Sequence, residues 1–184
     1  MRVIPLRNRT TEPALTAEAL SECYLTPIYR YVYRRLARDQ KSDADDITAQ
    51  AFQAALRGAH RLKPGTDPYL WLLGVARREL VNHARRQRYR KMEALDEATL
   101  ISSETPEVAA LDQERRTELW RILDSLAPDQ REALLLQHLE DLSVAQIAQV
   151  LSKSHAATNS LLQRARQRAL QLGGAYFFAE DETK

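Results

Sequence analysis

Cys23 is the single cysteine in 184 residues, which excludes an internal disulfide and a cysteine-built zinc site and fits a reducing compartment. Glycine (5) and proline (7) are also scarce, and collagen-like, mucin-like and wholly disordered readings fail. No stretch approaches the roughly 20 apolar residues that a membrane span needs. The opening MRVIPLRNRT lacks the apolar centre of a signal peptide. A cytoplasmic chain without membrane insertion is the expectation. What is present is 44% apolar and 28% charged, a composition able to bury a core. Ala, Leu, Arg, Gln and Glu dominate, residues that lose little side-chain freedom in a helix. The fold class expected is all-α.

A net charge of +2 hides a strong asymmetry along the chain. Residues 77–91 carry seven basic side chains against one acid, Glu79. Residues 93–114 hold seven acids and no Lys or Arg, and residues 153–171 are basic again, with no acid. Two positive helical blocks therefore flank a negative connector. Such blocks mark where a polyanion can dock.

Punctuation divides the chain. Apolar spacing begins near Thr16 and runs through Leu20, Tyr24, Ile28, Tyr31 and Leu36. Thr26 before Pro27 predicts a break or a fresh helix start there. Ser42 or Asp43 is expected to cap DADDITAQAFQAALRG, with Ile47, Ala51, Phe52, Ala54 and Ala55 inward and Gly58 closing it. HRLKPGTDP must be a loop. After Pro68 a long helix follows, its Leu72, Val75, Ala76, Leu80 and Ala84 spaced for one buried face. Its arginine-rich second half must meet water or phosphate. The acidic connector lacks sustained apolar periodicity and reads as an interdomain linker. Beyond it Leu119, Ile122, Leu123 and Leu126 end one helix and Pro128 opens the next. Ser143 and Gln146 form a capping box before VAQIAQVL. The turn SKSH then leads into AATNSLLQRARQRALQL, which Gly173 and Gly174 terminate. A capped short helix, a tight turn and a longer basic helix make a helix-turn-helix.

Leu162, Ala165, Ala169 and Leu172 form the inward stripe of the last helix, which leaves His155, Asn159, Gln163 and Arg166 stepping along another face. Asn and Gln suit adenine, and Arg suits guanine or phosphate; the alternative is a solvated face. The block at 77–91 has more cations than a helix dipole requires, and phosphate binding through it should weaken steeply with salt. Tyr69 and Trp71 are either stacking platforms for an unpaired base or core aromatics. His60, His83, His138 and His155 show no metal-binding spacing, and no Gly-rich phosphate loop occurs. The aspartates at 43, 45 and 46 serve a helix dipole or a partner more readily than a magnesium ion. Neither an enzyme nor a cofactor is expected.

Taken in order, these segments resemble the small two-domain bacterial RNA polymerase sigma factors of the extracytoplasmic-function group. DADDITAQAFQAALR is similar to the core-binding segment of their region 2, and PYLWLLGVARRELVNHARRQRYR to the promoter-melting and −10-reading helix. LDSLAPDQREALLLQHLEDLSVAQIAQVLSKSHAATNSLLQRAR resembles region 4. The resemblance implies an all-α protein of two small helical domains: an N-terminal arm (1–14), region 2 (15–92), an acidic linker (93–111), region 4 (112–174) and a tail (175–184). Asp46, Gln50 and Gln53 would face the clamp helices of the polymerase β′ subunit, and region 4 would dock on the β flap. The loop from His60 to Pro68, with Arg61 and Lys63, would capture a flipped −10 base, and Trp71 beside it would also contact −10 DNA. Arg78, Asn82, Arg85 and Arg86 would contact −10 DNA. Lys153, His155, Thr158, Asn159, Gln163, Arg164 and Arg166 would meet the −35 element. Partners implied are core RNA polymerase, promoter DNA as duplex and as melted strand, and an anti-sigma factor. The linker would thread a basic channel built for RNA.

Two departures stand out. Ala49-Gln50 replaces the usual Gln-Glu, and Ala157, Thr158, Asn159 and Leu161 replace a run richer in cations. The competing class is a helix-turn-helix regulator that binds duplex DNA without polymerase, with residues 15–92 sensing or dimerising. A nucleic-acid enzyme is disfavoured by the missing acid/base constellation.

Overall fold

The computed structural model describes residues 17–36, 38–62, 65–93 and 110–174. The N-terminal arm, Lys63, residues 94–109 of the acidic connector and the aromatic tail Tyr176, Phe177 and Phe178 lie outside the described residues. The described part is all-α and contains no strand. It divides into two compact units, Met1–Arg90 and Lys91–Lys184.

The first unit holds α1 (Ala17–Arg35), α2 (Ala44–Gly58) and α3 (Pro68–Glu93), with a six-residue 3₁₀ segment at Arg38–Asp43 before α2 and a 3₁₀ turn at Ala59–Arg61 after it. Contrary to the break expected at Pro27, α1 is continuous and contains that proline. Proline deletes one helical hydrogen bond and crowds the preceding turn. Packing on both sides holds the helix nevertheless, because Leu20 before it and Ile28, Tyr31 and Val32 after it are fully buried. At the C-terminal end of α1 Lys41 donates to the Tyr33 carbonyl and lies over its ring. Burial pushes the Lys41 ammonium below its ordinary pKa.

Neither cap expected for α2 forms. Asp43 precedes the helix in helical conformation without a side-chain cap bond, since the 3₁₀ turn already feeds into the helix. Its carboxylate lies instead 3.3 Å from His83 Nε2 of α3, an ion-pair distance without hydrogen-bond alignment. Ile47, Ala51, Phe52 and Ala55 are buried as expected, Thr48 joins them, and Ala54 is half-buried. Gly58 does not end α2 by a left-handed residue (φ −94°). A β-carbon there would lie 3.7 Å from the Trp71 ring, an ordinary contact distance.

The core face of α3 is Leu70, Leu72, Leu73 and Ala76. Val75 and Leu80 are half-buried, and Ala84, expected inside, is exposed. The helix leaves the core after its first half, which carries the arginine-rich half into solvent.

The second unit contains α4 (Ala110–Asp124), α5 (Pro128–His138), α6 (Val144–Leu151) and α7 (His155–Ala169). Its core joins Ile122, Leu126, Leu134, Leu136, Leu142, Ile147, Val150, Leu162 and Ala165. The capping box is present at α6, where Ser143 Oγ accepts from Gln146 N (3.4 Å) and Gln146 Oε1 accepts from Ser143 N (2.9 Å). Between α6 and α7 the chain turns through Ser152 in left-handed conformation (φ 53°), with Lys153 N donating to the Ala148 carbonyl (2.9 Å). Ser154 then caps α7, accepting from Ala157 N at 3.2 Å. Gly173, at φ 106°, ends the terminal turn, a conformation that costs an L-residue with a side chain.

Candidate nucleic-acid interface

The polar residues of α2 and the basic residues of α3 meet. Asp46 and Gln53 are exposed and Gln50 is half-buried. At 100° per residue the three fall inside an arc of about 60°. Arg86 Nη2 donates to Gln50 Oε1 at 3.2 Å, so one face touches the other through a direct bond. Arg78, Arg85 and Arg86 are exposed and Asn82 is half-buried.

The loop before α3 is partly visible. His60 is exposed on its 3₁₀ turn, and Arg61 belongs to that turn, its side chain outside the described residues, as is Lys63. Gly65 adopts φ 79°. Asp67 Oδ1 accepts from Tyr69 N at 2.8 Å, the short polar acceptor that starts α3. Trp71 is half-buried against α2 rather than standing free, and Tyr69 stacks on Tyr24 with ring centroids 5.9 Å apart. The alternative of aromatics built into the packing is therefore the one the structure favours for both rings.

On α7, His155, Asn159, Gln163, Arg164 and Arg166 are exposed. Thr158 corrects an expectation. It is 0% exposed, its hydroxyl donating to the Ser154 carbonyl at 3.0 Å, and it cannot reach a base edge. The physical reason is register: Thr158 precedes Leu162 by four residues and Ala165 by seven, so it extends their inward stripe.

Two cations of this unit hold partners that the sequence reading missed. Arg166 Nη2 donates to Gln137 Oε1 at 2.8 Å, and Lys153 Nζ lies 3.1 Å from Asp129 Oδ2. Both partners belong to α5. Only the packing of α5 against α7 and the turn before it brings them within reach, and no local spacing announces it. Nearby, Arg131 lies over the half-exposed Trp120 ring (5.7 Å) and pairs with Asp124. The exposed Arg121 hydrogen-bonds Glu118 and holds that carboxyl below the ordinary carboxylate range.

Among the described residues no three His, Cys, Asp or Glu side chains group as a metal site, and no helix is long and apolar enough to cross a membrane. What the two units offer is exposed guanidinium, amide and imidazole groups on helices. These are donors and acceptors suited to phosphates and base edges.

Comparison with known proteins gives two family matches in this order: Sigma-70 region 2 over residues 20–90 and Sigma-70, region 4 over residues 116–168. The chain is 30% identical over 171 residues to the ECF RNA polymerase sigma factor SigC of Mycobacterium tuberculosis, covering 86% of this chain and 91% of that one. It is 32% identical over 150 residues to the ECF RNA polymerase sigma factor BldN of Streptomyces coelicolor, covering 79% of this chain. The match spans 56% of that relative's length. Of solved structures, the sigma factor RpoE in complex with the anti-sigma factor NepR, from Bartonella quintana, matches with TM-score 0.60 at 20% identity, over 84% of this chain and 94% of that one. CnrH in complex with the cytosolic domain of CnrY gives 0.52 at 22% identity, over 85% and 84%. At these identities the structural likenesses concern the fold.

Proposed function

The chain belongs to the extracytoplasmic-function RNA polymerase sigma factors, and from that premise we propose that it binds core RNA polymerase, directs it to −35/−10 promoters and promotes DNA melting. One observation carries this reading: each of the two units, matching its own sigma region, presents a helix whose cationic or amide face is turned to solvent. A regulator needs one such face.

In this mechanism Asp46, Gln50 and Gln53 dock on the β′ clamp helices. The loop carrying His60, Arg61 and Lys63, with Trp71 behind it, takes an unpaired −10 base. Arg78, Asn82, Arg85 and Arg86 hold the −10 strand. His155, Asn159 and Gln163 read the −35 major groove, while Lys153, Arg164 and Arg166 serve its phosphates. Melting is driven by differential binding. Extruding a base costs a few kcal/mol, and contacts available only to the open strand offset it. The protein contributes no catalytic group, and bond formation belongs to the polymerase. An anti-sigma partner is part of the proposal, supported by the structural neighbour solved with the anti-sigma factor NepR, and so is a cytoplasmic location.

The test is size-exclusion chromatography of the chain with core polymerase, followed by run-off transcription on genomic fragments. Co-elution with new start sites is the expected result. Duplex binding without co-elution would replace this reading with the polymerase-independent regulator.

A further inference from the structure

His83 lies on the inner side of α3, which none of the assignments above uses. It follows Leu72 by eleven residues and Ala76 by seven, and so continues their buried stripe past the end of the core. Its side chain is 12% exposed. From Ala84 to Tyr89 every side chain is exposed except the half-buried Gln87. Facing His83 is Asp43, the residue that ends the 3₁₀ segment before α2, with Oδ2 3.3 Å from His83 Nε2. That nitrogen is closed to solvent and has no hydrogen-bond partner among the described residues. A buried polar atom left so is uncommon in a folded protein and calls for a reason. The Asp43 carboxylate is available to it, since it makes no cap bond to α2.

A second tie crosses between the same helices, from Arg86 Nη2 to Gln50 Oε1 at 3.2 Å. Between Asp43 and Gln50 α2 rises about 10 Å, and between His83 and Arg86 α3 rises about 4.5 Å. One tie alone would let the free half of α3 swing about it. Two ties at different heights fix the angle at which that half crosses α2. We infer that His83 and Asp43 are positioning residues for promoter opening, which hold the arginine-bearing half of α3 in register with the α2 face that docks on polymerase. Neither residue touches DNA or polymerase in this role; they act through Arg85 and Arg86. The inference rests on the proposed reading of the first unit as the module that binds core polymerase and opens the −10 element.

The experiment uses holoenzyme assembled from the full chain and core polymerase, and measures core affinity by titration and opening by permanganate reactivity on a promoter selected with the native holoenzyme. Asp43→Asn keeps the side chain's shape and removes its charge. It should lower opening about fivefold, the upper end for a partly exposed ion pair, with core affinity within about twofold of native. Asp45→Asn, which takes an equal charge from the same helix start, should open as the native chain does. His83→Gln should match Asp43→Asn, and the two together should lose no more than either alone, because both remove the same interaction. His83→Arg keeps a cation able to pair with Asp43 and should open within about twofold of native, which a purely space-filling imidazole would not allow. Every variant is assayed below its own thermal midpoint, so that unfolding does not enter. Native-like opening by Asp43→Asn, equal loss of core affinity and opening, additive losses in the double variant, or failure of His83→Arg to restore opening overturns the inference while Arg85→Ala with Arg86→Ala still impairs opening. If that arginine pair can also be removed without effect, the −10 reading of the unit falls, and the role of His83 with it.

Discussion

Thr158 and Asn159 are neighbours with opposite surroundings, which makes them a sharp test of how α7 is rotated. Thr158→Ala removes a buried hydroxyl bonded to the Ser154 carbonyl, about 1 kcal/mol, and a buried methyl, about 0.8 kcal/mol. Alanine's better helix propensity returns about 0.5 kcal/mol, leaving a net loss of about 1–1.5 kcal/mol. In a unit the size of Lys91–Lys184 that lowers the melting midpoint by roughly 4–12 °C. The second unit can be followed separately, because the two tryptophans are Trp71 and Trp120. Trp71→Phe leaves Trp120 as its reporter in a urea or thermal transition. Asn159→Ala removes an exposed amide and should leave that transition within about 0.5 kcal/mol. It should weaken binding of holoenzyme to a selected −35 duplex by the 1–3 kcal/mol typical of a bidentate base contact. Duplex binding weakened by Thr158→Ala with an unmoved midpoint would refute this rotation of the helix, as would a midpoint lowered by Asn159→Ala.

Other expectations are more direct. Arg85→Ala with Arg86→Ala should reduce promoter opening, read by permanganate reactivity of unpaired thymines, about tenfold or more, with core-polymerase affinity unchanged; equal loss in both contradicts the −10 assignment. Ser154→Ala deletes the acceptor for Ala157 N at the start of α7 and should cost about 1 kcal/mol, visible in the Trp120 transition. Salt-dependent duplex binding separates Lys153 from Arg164. Arg164→Ala should lower the slope by about 0.9, whereas Lys153→Ala should lower it less, because Asp129 already neutralises that ammonium.

The sequence made helix ends legible wherever a residue has one dominant backbone use: Pro68 and Pro128 at helix starts, the Ser143–Gln146 box and Gly173 at a terminus all stand where expected. The helix-turn-helix was legible for the same reason. It failed where packing outweighs local preference. Pro27 stays inside α1 because a buried apolar face continues across it. The Asp43 carboxylate lies 3.3 Å from His83, forty residues away, and makes no cap bond to its own helix. Thr158 was misread by residue type, although its spacing from Leu162 and Ala165 already placed it inside. The site was legible as a set of basic and amide residues, but not in its pairings. Gln50 with Arg86 and Gln137 with Arg166 are separated by 36 and 29 residues, and the approach of helices decides such contacts.

Those pairings change what the cations can do. An amide oxygen neutralises no charge, so Gln50 and Gln137 fix the guanidinium groups of Arg86 and Arg166 while leaving them fully cationic. A guanidinium has five N–H donors, and the one bond given to the amide leaves the others for phosphate or base. The effect is preorganisation: part of the side-chain ordering cost of binding, about 0.5–1.5 kcal/mol for a long side chain, is met before DNA arrives. Asp129 acts in the opposite sense on Lys153, since a carboxylate must be given up before a phosphate is gained. Gln50 is the informative case. It sits on the α2 face proposed for polymerase docking while orienting an arginine proposed for the −10 strand. Gln50→Ala should therefore impair both docking and opening, whereas Gln53→Ala, whose side chain shares the face without reaching Arg86, should impair docking alone.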